Sequence, residues 1–106
     1  MSYRGPEGKI QDSITKKLKT IKDSFWVKST VTNKAGTQDI LGDIKGTAVY
    51  IEVKYEGKKP EKLQDYRINK AVERGAISFY TTGWEDCKTK LSKFCENKKI
   101  ELRFLI

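Results

Sequence analysis

Apolar residues near the N-terminus recur at the spacing of a helix. Ile10, Ile14, Leu18 and Ile21 are four, four and three residues apart, so a helix places them on one face. Pro6 lies just before this run and suits the first turn of a helix, where its missing N–H is not needed. The pattern predicts a helix that begins at about residue 6 and packs through this apolar face.

The next stretch changes to the pattern of β-strands. Residues 24–32 are rich in aromatic and β-branched types, residues 33–36 predict a turn, and residues 38–44 predict a second strand. A turn at residues 43–46, with Asp first and Gly last as type I turns prefer, leads into a third strand over residues 47–54. Along this third strand apolar and polar side chains alternate and so face opposite sides: Val49, Ile51 and Val53 against Tyr50, Glu52 and Lys54.

The C-terminal half alternates between helices and strands. A helix begins at residue 60 or 61 and carries Ile68 and Ala71 on its apolar stripe, and residues 76–81 predict a short strand. Thr82 and Glu85 match a capping box that opens a third helix, and alternating apolar residues over 100–106 predict an edge strand. The order α-β-β-β-α-β-α-β predicts one α/β domain over residues 1–106, a mixed sheet flanked by helices.

The charge balance indicates a polyanionic partner. Lysine and arginine number 22 against 14 acidic residues, a formal net charge of +8 on 106 residues. A small domain with this excess attracts phosphate-rich polymers, and we expect nucleic acid in preference to an anionic membrane. No apolar run approaches the roughly 18 residues that a membrane span needs, so we expect none.

The histidine and cysteine counts exclude several kinds of active site. With no histidine, the chain has no Ser-His-Asp or Cys-His machinery and no imidazole base. Two cysteines are too few for a four-cysteine zinc site. Cys87 and Cys95 lie eight residues apart on a predicted helix, about 12 Å at 1.5 Å per residue, which is too far for a disulfide. Reduced thiols are typical of the cytoplasm, where we expect this protein.

The third strand brings the most informative polar residues together. Glu52 and Lys54 point to the same face of the strand. Counted outward from the turn at 43–46, Asp39 lies about as far back as Glu52 lies forward, within a residue or two. Two carboxylates beside a lysine are suited to a Mg²⁺ ion and a phosphate. The same residues also fit a solvated surface ion pair, and Asp43 competes with Asp39 as the ligand, although Asp43 is better explained as a turn former.

These segments resemble one nuclease family. Residues 36–42 (GTQDILG), residues 50–54 (YIEVK) and Gln64 are similar to the virus-type replication-repair nuclease (VRR-NUC) domain of the PD-(D/E)XK superfamily. The similarity covers residues 7–81 in the family's order: a glutamate on the first helix, a G-x-P-D turn, an apolar-E-V-K strand and a helix with a glutamine. Gln38 replaces the usual proline, which makes no metal contact. The resemblance implies a restriction-endonuclease-like core.

The resemblance also implies a role for each matching residue. Asp39 and Glu52 would ligate the divalent metal together with the backbone carbonyl of Val53, and Lys54 would orient the attacking water. Gln64 would lie at the edge of the site, unless it is a solvated helix position. Glu7 would be an outer-shell or second-metal ligand, unless it serves only the helix dipole. Three lysines in basic segments near the matching residues are expected to contact DNA: Lys9, Lys58 and Lys59.

The implied activity is a Mg²⁺-dependent DNA endonuclease, with Mn²⁺ as a substitute and no small-molecule cofactor. Single-domain forms resemble phage-encoded, structure-specific enzymes similar to Holliday-junction resolvases, so the expected substrate is branched or junction DNA and the expected location is the host cytoplasm. A homodimer is expected, with its interface at residues 25–27 or 100–104. The alternative is a non-catalytic nucleic-acid-binding module on the same fold. An RNA-splicing-type endonuclease is excluded, because it would need a catalytic histidine and the chain has none.

Overall fold

The computed structural model describes residues 6–29 and 39–105, apart from the side chains of the first two residues of the first helix. Its elements are α1 (Pro6–Leu18), β1 (Ser24–Lys28), β2 (Ile40–Ile44), β3 (Thr47–Val53), α2 (Lys62–Glu73), β4 (Ile77–Thr81) and α3 (Trp84–Asn97). The predicted order is confirmed through α3. The predicted turn at residues 33–36 and the start of the 36–42 motif lie outside the described residues.

The four strands form one mixed sheet in the order β1-β2-β3-β4. β1 with β2 and β2 with β3 are antiparallel, whereas β3 and β4 are parallel. Parallel neighbours need a crossover, and α2 supplies it. This is the α/β arrangement expected for a restriction-endonuclease-like core.

One face of the sheet carries the hydrophobic core. Residues that alternate along the strands pack against α1 and α3, and the fully buried members include Ile40, Val49 and Ile51. Phe79 on β4 stacks on Phe94 of α3 with ring centroids 6.0 Å apart. None of the helices in the described ranges is both long and apolar enough to cross a lipid bilayer.

The opposite face is only partly covered. α2 packs on it against β3 and β4. Phe25 and Val27, which point to this face from β1, are 63% and 42% exposed. The sheet therefore has one fully covered face and one face that is covered over only part of its width.

The β2–β3 turn differs from the predicted type. Ile44 pairs directly with Thr47, which leaves a two-residue loop. Lys45 and Gly46 both have positive φ, 51° and 88°, which defines a type I′ turn rather than type I. The twist of a two-residue hairpin favours the primed turn. Asp43 is nevertheless a turn former, since its Oδ1 accepts the Gly46 N–H at 3.2 Å.

The predicted capping box at α3 is wrong. Gly83 is the N-cap and no side chain caps the helix. The hydroxyl of Thr81, one residue before the predicted cap, donates to Asp86 Oδ2 at 2.8 Å instead. The buried thiols on α3 are free, as predicted for Cys87 and Cys95.

The predicted eighth element, an edge strand at the C-terminus, is also wrong. Residues 100–105 make one antiparallel bridge, between Phe104 and Ile21. The Arg103 carbonyl accepts the Lys22 N–H at 2.8 Å, so the segment pairs with the loop after α1 and not with the sheet. Its alternating apolar residues pack against the core from there.

Candidate functional site

The β2–β3 hairpin brings two carboxylates together. Ile40 pairs with Ile51, and the next step of this register places Asp39 opposite Glu52. The Val53 N–H donates to Asp39 Oδ2 at 2.8 Å, which holds the Asp39 carboxylate at the end of β3. The sequence prediction that these two acids meet across the hairpin agrees with this geometry.

Glu52 is buried, although the alternation along β3 places it on the face opposite the hydrophobic core. It is 3% exposed, because α2 covers this part of the sheet. Its Oε2 accepts a hydrogen bond from Gln64 Nε2 at 2.6 Å and lies 3.4 Å from Lys54 Nζ. The side chains of Glu52 and Lys54 are 4% and 13% exposed, so the solvated surface ion pair is excluded. A carboxylate is buried only where charge and hydrogen bonds compensate it.

Gln64 is positioned by its own helix. Its Oε1 accepts the Glu61 N–H at 3.0 Å, the reciprocal half of a capping box at the start of α2. Because that N–H requires an oxygen, the amide nitrogen must point away from it, toward Glu52. Gln64 is therefore not a solvated helix position.

A second polar network, which the sequence analysis missed, fixes the neighbouring end of β4. The Lys54 N–H donates to the Thr81 carbonyl at 2.9 Å, and the Thr81 hydroxyl is bonded to Asp86. Lys90 Nζ lies 3.1 Å from Asp86 and donates to the Tyr80 carbonyl at 2.6 Å. The ammonium group also lies 4.2 Å from the Tyr80 ring centroid. The only local signal in the sequence is the i, i+4 spacing of Asp86 and Lys90.

The oxygen atoms at this site fit a hard cation. Asp39 and Glu52 supply carboxylates, and the Val53 carbonyl lies on the same edge of β3 as the N–H that bonds Asp39. Magnesium is commonly held by one or two carboxylates, with water and substrate phosphate completing its coordination. Within residues 6–29 and 39–105 no three acidic or thiol side chains form a metal-sized group. The predicted contribution of Glu7 falls on a side chain outside the described ones.

The predicted DNA-contacting lysines are exposed but differ in position. Lys58 and Lys59 lie in the loop between Lys54 and α2, where the Lys58 N–H donates to the Tyr55 carbonyl at 2.9 Å. This loop continues directly from the site. Lys9 is exposed on α1, and no contact among the described residues joins it to the site.

Comparison with known proteins supports the fold. A solved structure described as a VRR_NUC domain superposes with a TM-score of 0.69 and 21% sequence identity, covering 82% of this chain and 95% of that chain. The chain therefore has the VRR-NUC fold, as the resemblance implied. No protein-family model and no curated protein matches the sequence.

Proposed function

We propose that this protein is a metal-dependent DNA endonuclease. The observation that carries the proposal is the buried Glu52, bonded to Gln64 and paired with Lys54, with Asp39 opposite it across the hairpin. A buried acid that is compensated in this way is costly for the fold and is typical of functional sites. The likeness to a VRR_NUC domain structure supports the same conclusion.

The residues divide into three roles. Asp39, Glu52 and the carbonyl of Val53 would hold Mg²⁺, with Mn²⁺ as a substitute, and the ion would supply activation of water and neutralisation of phosphate charge. Lys54 orients the attacking water and stabilises negative charge on the phosphate. Gln64 keeps the Glu52 carboxylate in position through the 2.6 Å hydrogen bond. The products are 5′-phosphate and 3′-hydroxyl ends, and Glu7 is proposed as an additional ligand.

The proposed substrate is branched or junction DNA, bound by a homodimer. A net charge of +8 favours association with DNA phosphates, and Lys58 and Lys59 extend the cationic surface from the site. Lys9 is proposed to contact the same DNA. Two copies provide the two active sites that symmetric cutting of a junction requires.

Cleavage of four-way, flap and linear DNA in Mg²⁺, Mn²⁺ or EDTA tests this proposal. We expect cutting with either metal and none in EDTA. Glu52→Gln should lower the rate by roughly 100-fold or more, because it removes a charged metal ligand. Glu56→Gln, an exposed acid in the adjoining loop, is the matched control and should leave the rate within about twofold of wild type.

The outcomes separate the two hypotheses on function. A wild-type protein that binds junctions but cuts nothing with any metal would establish the non-catalytic binding module. Equal cutting by wild type and Glu52→Gln would refute the assignment of the site. Sedimentation of the protein alone and with a junction tests the homodimer.

A further inference from the structure

The partly covered face of the sheet contains a groove beside α2. A cavity of about 380 Å³ lies between the start of β3 and the C-terminal end of α2. Its lining includes Gly46, Thr47, Ala48, Tyr50, Ala71 and Arg74. On the far side of β3 from α2, the side chains of this face are half-buried on β2, at Leu41 and Asp43, and exposed on β1. The cavity is therefore one end of an open surface and not an enclosed pocket.

This groove leads to the proposed active site. Tyr50, which lines the cavity, lies two residues before Glu52 and points to the same face of β3. Gln64, in the first turn of α2, donates a hydrogen bond to Glu52. Arg74, directly after the last residue of α2, lines the cavity. Gln64 and Arg74 are ten positions apart, a distance of about 15 Å along the helix axis. The site and the cavity lie at opposite ends of α2, and we refer to the surface between them along this helix as the channel.

Two arginines lie along this side of α2. Arg67 and Arg74 are exposed and seven residues apart, so they lie two turns, or about 10.5 Å, from each other on the same side of the helix. Among the described residues neither pairs with a carboxylate, whereas Arg103 lies 3.1 Å from Glu101. Unpaired guanidinium groups are well suited to bidentate binding of phosphate oxygens.

We propose that this channel binds the DNA strand that flanks the scissile phosphate, through Arg67 and Arg74. The inference rests on the proposed nuclease function, since positions of the DNA strand in the channel are counted from the phosphate that is cut. Arg67, which is nearer to Gln64 on α2, then contacts a phosphate near the cut, and Arg74 contacts one further along the same strand. These contacts position the duplex and carry no base specificity.

Binding measured by fluorescence anisotropy over a range of KCl concentrations tests the channel. Ca²⁺ replaces Mg²⁺ to prevent cutting. Arg67→Gln and Arg74→Gln should each weaken binding by roughly three- to tenfold and lower the salt slope by about one. Lys93→Gln removes the same charge from an exposed position on α3 and should change neither the affinity nor the salt slope. Arg74→Lys keeps the charge but not the bidentate fork, so it should bind more tightly than Arg74→Gln and less tightly than wild type.

Shortening the junction arms one at a time adds a positional readout. As the arm in the channel is shortened toward the mapped cut, Arg74→Gln should become equal to wild type in affinity at a longer arm length than Arg67→Gln. If Arg74→Gln matches Lys93→Gln in affinity and salt slope on full-length arms, the channel is refuted, even if the protein cuts DNA. If the arginine dependence appears but nothing is cut with any metal, the channel is supported and the nuclease proposal fails.

Discussion

Removing the Gln64 side chain should destabilise the fold and the proposed site together. Its amide makes two bonds, one to Glu52 Oε2 at 2.6 Å and one from the Glu61 N–H at 3.0 Å. A hydrogen bond to a charged group contributes about 1.5–3 kcal/mol. Losing a capping interaction costs about 0.5–1 kcal/mol more. We therefore expect Gln64→Ala to lower the free energy of unfolding by about 2–4 kcal/mol, a large part of the 5–15 kcal/mol typical of a domain.

Urea unfolding followed by circular dichroism measures this difference. Asn69→Ala, an exposed position on the same helix, is the control, and its effect should stay within about 0.5 kcal/mol. Gln64→Glu is a second variant. It retains an oxygen for the Glu61 N–H but removes the donor and adds a negative charge beside Glu52, so it should be less stable than Gln64→Ala in EDTA.

Unfolding of Gln64→Ala and Asn69→Ala at the same urea concentration with the same m-value would contradict this expectation. That result would mean that Glu52 is compensated without the amide of α2. Cleavage assays on the same proteins add an independent readout. The Gln64→Ala rate should fall under conditions where the variant is still fully folded, because the carboxylate has lost one of the groups that orient it.

Three further results follow from packing and titration. Gly42→Ala should lower the free energy of unfolding by about 2 kcal/mol or more in urea, because a Cβ there would lie 2.1 Å from the Phe25 carbonyl oxygen. Gly83→Ala meets nothing within 4 Å and should cost under about 1 kcal/mol. Burial, with a smaller contribution from the Asp86 carboxylate, raises the pKa of the Cys87 thiol from 9.0 to about 12. The folded state thus keeps a proton that the unfolded state loses, so Cys87 lowers stability as pH rises above 9, by at most about 1.4 kcal/mol per pH unit. The loss of unfolding free energy per pH unit above pH 9 should be smaller in Cys87→Ala. Burial also raises the pKa of Cys95, and both thiols should react with a disulfide reagent at pH 8 only after unfolding; fast reaction of the native protein would contradict their burial.

The pairing of Asp39 with Glu52 could be predicted because it depends on local information. The turn between β2 and β3 is short, and side chains alternate strictly along both strands, so counting outward from the turn gives the register. The type of turn was not predictable from Asp43 and Gly46 alone. These residues suit a type I turn as well, and only the two-residue loop closed by strand pairing decides for type I′.

The burial of Glu52 could not be predicted from its strand. Alternation assigns it to the polar face, and a polar face is normally solvated. α2 covers that face only after the crossover to β4, and the interaction that compensates the charge comes from Gln64, twelve residues further along the chain. Periodicity within one element contains no information about such packing.

The C-terminal segment shows the same limit. Ile100, Leu102 and Phe104 alternate as they would in a strand, but they pack against the core beside the loop after α1. An alternating apolar pattern shows which side chains are buried, not which backbone they pair with. The network of Asp86, Lys90 and the Tyr80 carbonyl likewise exists only because α3 packs beside the end of β4.

The central claim is that Asp39 and Glu52 form a metal site that hydrolyses DNA. The most direct test compares Asp39→Asn with Asp43→Asn, two identical changes four residues apart, in a single-turnover cleavage assay with Mg²⁺. We expect Asp39→Asn to cut roughly 100-fold more slowly or not at all. Asp43→Asn should retain a rate within about threefold of wild type, since its carboxylate serves the turn at Gly46. Wild-type cutting by Asp39→Asn, or an equal loss in Asp43→Asn, would contradict the assignment of Asp39 as a metal ligand.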